Sequence, residues 1–236
     1  MSASGLFITF EGIEGCGKTT QVKRAADYLK HHHVPFLLTV EPGGTSVGKR
    51  VREMLLNEDP YEKDYKMYAE AELLLFSAAR AQHVREVILP GLREGKVILC
   101  DRFSDATFAY QGFGRGLDLD FIEKLNLFSS AGLKPCLTFL FDLPVEDGLR
   151  RARERVSRLR DSSGMMNTEQ LALNLIAAED VFEQEDLEFH RKVREGYLFL
   201  AERNPERFRV IDASRDIETI HLDVCRHLET LVSKNL

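Results

Sequence analysis

Gly12-Ile13-Glu14-Gly15-Cys16-Gly17-Lys18-Thr19 reads G-x-x-x-x-G-K-T, a pattern typical of a loop that cradles phosphate. It follows an apolar run at residues 6–10, a predicted strand, and it opens a helical pattern. Glycines let the backbone curl so that its N–H groups face a phosphate chain, and the helix N-terminus adds its positive dipole end. Lys18 would supply a cation and Thr19 a ligand for Mg²⁺, so the chain is predicted to bind a nucleoside triphosphate.

Four further short segments are apolar or β-branched and are bounded by glycine, proline or charge, which predicts buried strands. They cover residues 35–40, 96–100, 136–141 and 208–211. The predicted helices cover residues 18–30, 46–56, 65–85 with an extension to 92, 119–130, 145–155, 179–203 and 217–232. Strands that alternate with helices pair in parallel through right-handed crossovers. We therefore predict an α/β fold, a doubly wound parallel sheet flanked by helices, in one domain over residues 1–236.

Ligands of such a sheet bind at the carboxyl ends of its strands. The residues that directly follow each strand are therefore candidates for the binding site. Asp101 ends a predicted strand, where a carboxylate can hold Mg²⁺ opposite Thr19. Arg102 follows at once, and a permanently charged guanidinium there suits a second phosphate, on an acceptor. Phe76 and Arg80 are four residues apart and share a helix face, where a ring and a guanidinium can stack on and bond a planar base.

The bulk composition limits the possible classes of partner. The net charge of −6 disfavours a protein that coats nucleic acid. No apolar run approaches the length that a membrane span needs, and no basic segment followed by an apolar one opens the chain. The four scattered cysteines form no C-x-x-C pair and are expected to be buried free thiols. We predict a cytoplasmic protein with neither a nucleic-acid nor a membrane partner.

Arginines are dense at the end of one predicted helix and run into a polar, flexible-looking stretch. They occupy positions 150, 151, 153, 155, 158 and 160, and the stretch Asp161-Ser162-Ser163-Gly164 follows. Such runs are often solvated helix faces. In a protein that binds phosphate, a mobile arginine segment can also close over a nucleotide and exclude water. We interpret residues 150–180 as a mobile arginine-rich lid.

At this point the chain resembles a known family. Its motifs are Glu14 in the phosphate loop, E-P-G-G-T at 41–45, F-S-A-A-R at 76–80, Asp101-Arg102, A-Y-Q-G at 109–112 and G-R-G at 114–116. Their order and spacing are similar to those of bacterial thymidylate kinase over essentially the whole chain. The resemblance implies the nucleoside-monophosphate kinase fold with a five-stranded parallel sheet. It also implies a homodimer that phosphorylates dTMP to dTDP with ATP and Mg²⁺ in dTTP synthesis.

The resemblance implies a dTMP site that reads the base at one end and holds the phosphate at the other. Phe76 would stack on thymine, Arg80 would bond its carbonyl edge, and Arg102 would hold the phosphate. Tyr110 would lie against the deoxyribose and disfavour a 2′-hydroxyl, and Glu14 would reach the 3′-hydroxyl. The residues implied to contact dTMP are Glu14, Glu41, Pro42, Arg52, Phe76, Arg80, Arg102, Thr107, Tyr110 and Gln111.

An ATP site and the catalytic groups are implied in the same way. The residues implied to contact ATP are Gly12, Ile13, Glu14, Gly15, Cys16, Gly17, Lys18, Thr19, Thr20, Arg151 and Arg153. Lys18, Asp101 and Arg155 would be catalytic, and Thr19 and Asp101 would be the metal ligands. The phosphate loop holds no basic residue at positions 13–16, so the chain resembles the branch of the family whose transition-state arginine comes from the lid. By position, we assign this role to Arg155.

Three departures from the family pattern stand out. Val40 replaces the arginine that usually precedes E-P-G-G, and Ala106 replaces a serine next to Thr107. Residues 156–178 look inserted into the lid, and 168–178 could form an extra helix. Two alternatives stay open beside the dTMP kinase. One is a kinase for another nucleotide or for a deoxynucleoside, and the other is a non-enzymatic nucleotide switch, although no guanine motif of the Asn-Lys-x-Asp type is present.

Overall fold

A computed structural model describes residues 5–56, 67–162 and 185–235. Its five strands form one parallel sheet in the order β2-β3-β1-β4-β5. The strands are β1 (Leu6–Glu11), β2 (Phe36–Val40), β3 (Val97–Asp101), β4 (Leu137–Asp142) and β5 (Phe208–Asp212). The predicted doubly wound α/β fold is confirmed, and each strand begins and ends within one residue of its predicted bounds.

Helices join successive strands on both faces of the sheet. They are α1 (Lys18–His31), α2 (Ser46–Leu56), α3 (Ala69–His83), α4 (Leu89–Arg93), α5 (Ser104–Thr107), α6 (Leu119–Ser129), α7 (Val145–Ser162), α8 (Leu187–Arg203) and α9 (Ile217–Asn235). None of these helices is long and apolar enough to cross a membrane. The central strands β1, β3 and β4 are almost wholly buried, whereas β2 and β5 at the sheet edges are partly exposed. The core therefore lies along the middle of the sheet.

Two π-helical segments were not predicted. Val84–Ile88 joins α3 to α4, and Phe108–Gly114 continues α5. Pro90 lies in the first turn of α4 and has no N–H to donate to the carbonyl four residues earlier, which is a known cause of local widening. The second segment contains the A-Y-Q-G motif at 109–112. π-helical turns often occur at functional sites, and this one places Tyr110 and Gln111 side by side at the cleft described below.

Some predictions need correction, and others lie outside the described residues. Cys16 and Cys100 are buried as expected, but Cys225 is half-buried and Cys136 is exposed at the start of β4, so the cysteines are not all buried. Helix α7 extends to Ser162, beyond the predicted end at residue 155. The lid from 163 onward, the extra helix at 168–178 and the predicted helix start at 179 fall within the undescribed residues 163–184.

Candidate active site

A cleft opens at the carboxyl ends of β1, β2 and β3, where α3, α5 and the second π-helical segment close its sides. It has about 790 Å³ of space free of protein atoms, its open mouth included, within the range of roughly 300–1,000 Å³ usual for small-molecule sites. It is lined by Glu14, Lys18, Thr19, Val40, Glu41, Pro42, Arg52, Phe76, Arg80, Asp101, Arg102, Phe103, Ala106, Thr107, Tyr110 and Gln111. Every residue that the resemblance implied for dTMP lines this one cleft.

The loop between β1 and α1 has the backbone that its glycines predict. Gly15 and Gly17 have φ values of 69° and 89°, in the left-handed region that L side chains rarely adopt. Gly17 is the N-cap of α1, so the free N–H groups of the first helical turn face the loop. The buried Lys18 holds its Nζ 3.4 Å from the carbonyl oxygen of Ile13. The backbone of the loop and the position of Lys18 thus suit the binding of a phosphate chain.

Thr19 and Asp101 meet across the sheet, although 82 positions separate them in sequence. The hydroxyl of Thr19 donates a hydrogen bond to Oδ2 of Asp101 at 2.7 Å. These are hard oxygen donors, which Mg²⁺ prefers. Among the described residues no group of three or more His, Cys, Asp or Glu side chains could hold a metal ion. Mg²⁺ usually takes one or two protein oxygens and completes its shell with water and substrate phosphates, so this pair fits the ion.

Arg102 lies at the centre of the site in a left-handed backbone conformation, with φ at 66°. Its Nη1 donates to the carbonyl of Gly12 and the hydroxyl of Tyr197, both at 3.1 Å. Its Nη2 donates to Oε1 of Glu14 at 2.9 Å and to the hydroxyl of Tyr110 at 3.0 Å. Burial lowers its pKa, but the neighbouring tyrosines and Glu14 raise it well above the usual value. The guanidinium is therefore charged and is held between the phosphate loop and the cleft.

Glu14 is a buried carboxylate of the phosphate loop. Its Oε1 accepts from the hydroxyl of Tyr110 at 2.6 Å as well as from Arg102, and its Oε2 lies 3.5 Å from Nδ1 of His190 on α8. Burial alone would raise the pKa of Glu14, but His190, Arg102, Lys18 and Tyr110 together lower it well below the usual range. The group is ionised, and Oε2 accepts no hydrogen bond from a described residue. The carboxylate is thus buried between His190 of α8 on one side and Tyr110 and Arg102 on the other.

Arg80 on α3 is almost fully buried and lines the cleft. Its Nε lies 2.6 Å from Oε1 of Glu41 in an ion pair. Its Nη1 donates to Oδ1 of Asn126 at 2.6 Å, and its Nη2 donates to the hydroxyl of Thr107 at 2.7 Å. Phe76, one turn earlier on α3, is half-buried and lines the same cleft. An aromatic face and an oriented guanidinium therefore share one wall, as a base site requires.

Gln111 and Tyr110 are fixed by partners that the sequence did not reveal. Nε2 of Gln111 donates to Oε1 of Glu72 at 2.7 Å, and Glu72 also pairs with Arg115 at 3.0 Å. Arg115 in turn forms an ion pair with Glu185, the first described residue after the lid. This series of contacts ties the π-helical segment to α3 and to the chain that precedes α8.

Behind the phosphate loop, Glu11 at the end of β1 is fully buried. Its carboxyl accepts from the backbone N–H of Phe103 at 2.7 Å and from the hydroxyl of Tyr197 at 2.9 Å. Burial and the nearby Asp105 raise its pKa from 4.5 to about 8. Sequence analysis missed Glu11, Tyr197 and His190 because each is a lone polar residue in an apolar or helical pattern. The available signal was a glutamate that directly follows the predicted strand at residues 6–10.

The chain is similar to known proteins of one family. A family model described as thymidylate kinase matches residues 10–224. A thymidylate kinase of Syntrophus aciditrophicus is 56% identical over 225 residues, 95% of this chain and 94% of the relative. One from Desulfovibrio desulfuricans is 48% identical over 221 residues, 94% of this chain and 93% of the relative. The crystal structure of thymidylate kinase from Ehrlichia chaffeensis has a TM-score of 0.69 and 33% identity, and the match covers 96% of this chain and 99% of that one.

The chain belongs to the thymidylate kinase family. The resemblance noted in the sequence is thereby confirmed, as is the P-loop nucleoside-monophosphate kinase fold. The chain is an enzyme that phosphorylates dTMP in nucleotide biosynthesis. The two residues in which it departs from the thymidylate kinase pattern, Val40 and Ala106, both line the cleft.

The arginines implied to serve ATP in thymidylate kinases lie on α7, and none of them is among the described residues that line the cleft. Arg151 donates to the carbonyl of Ala213, after β5, at 3.0 Å. Arg153 is exposed and Arg155 is half-buried. Asp142 ends β4 but is not among the residues that line the cleft, and it pairs with Arg194 on α8 through two hydrogen bonds of 2.7 and 2.9 Å. Asp142 therefore fastens α8 to the sheet.

Proposed function

We propose that this chain transfers the terminal phosphate of ATP to dTMP, giving ADP and dTDP, with Mg²⁺ bound at Thr19 and Asp101. One observation carries the proposal. The ten residues implied for dTMP line a single cleft, and Lys18 and Thr19 of the phosphate loop open into that same cleft. A donor nucleotide on the loop and an acceptor in the cleft would then meet at Asp101 and Arg102. This arrangement suits direct transfer between two nucleotides.

The acceptor end is suited to a pyrimidine deoxynucleotide. Phe76 would stack on thymine, while the guanidinium of Arg80 would donate to its carbonyl edge. The buried ring of Tyr110 would fill the space beside the sugar and disfavour a 2′-hydroxyl. Glu14, which is ionised and lines the cleft, would accept from the 3′-hydroxyl after its carboxylate exchanges one of its present donors, Arg102 or Tyr110.

At the acceptor phosphate, Arg102 and Arg52 provide positive charge. Both line the cleft, and Nη1 of Arg52 donates to the carbonyl of Pro42 at 2.9 Å. Burial lowers the pKa of Arg52, and the nearby Asp101 offsets this effect only in part. To grip a phosphate with its terminal nitrogens, Arg102 would exchange one of its present partners for a phosphate oxygen. This exchange is favourable because a dianionic phosphate is a stronger hydrogen-bond acceptor than a tyrosine hydroxyl.

Phosphoryl transfer depends chiefly on position and on neutralising charge as it builds on the transferred group. Lys18 would offset charge on the terminal phosphates, and an arginine of α7 would close from the far side. We propose Arg155 for that second role, with Arg151 and Arg153 at the ATP phosphates. Thr19 and Asp101 would hold Mg²⁺, which would supply positive charge at the phosphate groups. Asp101 would hold its position through the hydrogen bond from Thr19.

The substrate and the donor site are tested together by steady-state assays on dTMP, dUMP, dCMP, AMP and thymidine with ATP and Mg²⁺. Turnover should be fastest with dTMP, followed by its near analogue dUMP. Fastest turnover on any other acceptor would contradict the proposal. Lys18→Ala should lower kcat by roughly 100-fold or more, because it removes a cation that acts on the transferred group, while the Kd of dTMP stays within about threefold.

Lys23→Ala is the matched control, because Lys23 is an exposed lysine on the same helix. It should leave kcat and both Kd values unchanged. Loss of dTMP binding in Lys18→Ala, with ATP binding intact, would mean that the two nucleotide sites are reversed.

The homodimer and the cytoplasmic location expected from the sequence also belong to this proposal, as does the single domain. Apolar side chains on α3 and α6 support the homodimer. Phe121 and Phe128 are 53% and 80% exposed and lie seven residues apart on one face of α6. Leu74 is exposed on α3, which packs beside α6. A second copy of the chain would cover these side chains.

A further inference from the structure

His83 ends α3 behind the cleft, and its side chain is only 2% exposed. It is not among the residues that line the cleft, and the chemistry above gives it no role. We propose that His83 is a positioning residue that fixes the carboxylate of Glu41 and, through it, the guanidinium of Arg80. The inference rests on the proposed function, in which Arg80 reads the carbonyl edge of the base.

The two ring nitrogens of His83 have one partner each. Nδ1 lies 3.3 Å from Oε2 of Glu41, and Nε2 lies 2.7 Å from the hydroxyl oxygen of Thr39. A carboxylate can only accept a hydrogen bond, so Nδ1 carries the proton. In the neutral ring, Nε2 then accepts from Thr39. Thr39, Glu41 and His83 are all buried, so water does not compete for these contacts. The ring is therefore held in one tautomer and one orientation.

Glu41 connects His83 to Arg80, because its carboxylate contacts both side chains. Its second oxygen, Oε1, lies 2.6 Å from Nε of Arg80. His83 and Arg80 are three residues apart on α3 and so present their side chains to the same carboxylate, one to each oxygen. Without His83, one oxygen of Glu41 would lose its partner and the carboxyl group could turn about its last bond. The guanidinium would then keep Thr107 and Asn126 but would lose a fixed partner at Nε.

Gly44 provides an independent observation. A Cβ added at Gly44 would lie 2.5 Å from Nε2 of His83 and 2.5 Å from the hydroxyl oxygen of Thr39. Real Cβ atoms do not come this close, so the backbone at this position approaches the pair as only glycine allows. The second glycine of E-P-G-G-T thus makes room for the contact between Thr39 and His83. Gly44 therefore contributes to the base end of the cleft, where Arg80 lies, as well as to the loop that carries Glu41.

The test compares dTMP with dCMP, which presents an amino group where dTMP presents a carbonyl. The quantity measured is the ratio of the two kcat/KM values, dTMP over dCMP. In His83→Phe this ratio should fall roughly tenfold, because a freed guanidinium no longer favours the carbonyl. In His83→Asn, whose amide nitrogen can take the place of Nδ1, it should stay within about threefold of wild type. The KM for ATP should not change in either variant.

Thr138→Val is the matched control for loss of a buried hydrogen bond. Thr138 is fully buried on β4, where its hydroxyl bonds that of Thr9 at 2.8 Å and accepts from Arg207 at 2.9 Å. None of these three residues lines the cleft. It should lower the melting temperature but leave the substrate ratio unchanged. If it lowers the ratio as much as His83→Phe does, the effect is general loosening and the proposal is overturned.

Arg80→Lys separates this inference from the proposed function. If Arg80→Lys leaves the substrate ratio at the wild-type value, Arg80 does not read the base, and the proposed role and this inference both fail. If Arg80→Lys lowers the ratio and a folded His83→Phe does not, only the role of His83 is overturned. Should His83→Phe not fold, Thr39→Val is measured in its place, because it removes the partner of Nε2. An unchanged ratio in Thr39→Val then overturns the proposal.

Discussion

Arg102 shows how a single residue can determine the local geometry of this site. Its left-handed backbone costs on the order of 1 kcal/mol for a residue with a side chain. Four hydrogen bonds to its guanidinium hold the conformation in place. The Asp101-Arg102 pair was predictable, because it follows a strand of a parallel sheet. Its partner Tyr197 was not, because 95 positions of chain separate the two and only the packing of α8 brings them together.

Glu11 makes a pH-dependent contribution to stability. Its carboxyl is neutral in both folded and unfolded chains below pH 4.5 and ionised in both above about pH 8. Between these limits unfolding releases a proton, so the free energy of unfolding falls as pH rises, by at most about 1.4 kcal/mol per pH unit. Glu11→Gln does not titrate and keeps an acceptor for the N–H of Phe103. Its free energy of unfolding, minus that of wild type, should therefore increase from pH 4.5 to pH 8.

Urea unfolding across that pH range measures the difference, with Glu123→Gln as control because Glu123 is exposed on α6. The control should show no such trend. A difference that stays constant with pH in Glu11→Gln would contradict the raised pKa.

Among the elements, strands were predicted more closely than helices. Each strand is a short apolar run that stops at a charge or a glycine, so the boundary is visible in the sequence itself. The π-helical segments could not be predicted, because they depend on a missing backbone donor in one case and on tertiary packing in the other. The contacts of His83 and Asn126 with the Glu41–Arg80 pair were also hidden. Nothing in a helical pattern says which partner a buried polar side chain meets.

The packing of the phosphate loop against α7 can be tested through two glycines of similar backbone. Gly15 and Gly116 have φ values of 69° and 74°, so alanine is strained at both. A Cβ at Gly15 would lie 2.0 Å from the carbonyl oxygen of Gly148 on α7, whereas a Cβ at Gly116 would meet nothing within 4 Å. Gly116→Ala should cost about 1 kcal/mol of stability. Gly15→Ala should cost roughly 1–3 kcal/mol more, because either the loop or α7 must move.

Thermal unfolding and the KM for ATP are measured for both variants. The KM should rise in Gly15→Ala only. Equal losses of stability in the two variants would show that the contact with α7 is soft.

At the scale of the molecule, the sheet brings together residues from four separate parts of the chain. Exposed apolar side chains on α3 and α6 form a surface that a second copy of the chain can cover. Phe128→Glu should convert the proposed homodimer to a monomer in sedimentation equilibrium, because it buries a charge in the interface. Leu222→Glu is the control, since Leu222 is also exposed but lies on α9. A wild-type protein that sediments as a monomer, or a Phe128→Glu variant that remains dimeric, would contradict this arrangement.

The ion pairs of the cleft have a consequence for selectivity against small anions. Arg102 and Arg80 each face a carboxylate of the protein, Glu14 and Glu41, so the protein supplies a counter-ion to each guanidinium. A lone phosphate ion would have to compete with these built-in anions while offering few contacts of its own. A whole nucleotide brings ring stacking and a sugar hydroxyl as well, and so repays the exchange. We therefore expect inorganic phosphate to bind this cleft much more weakly than dTMP does.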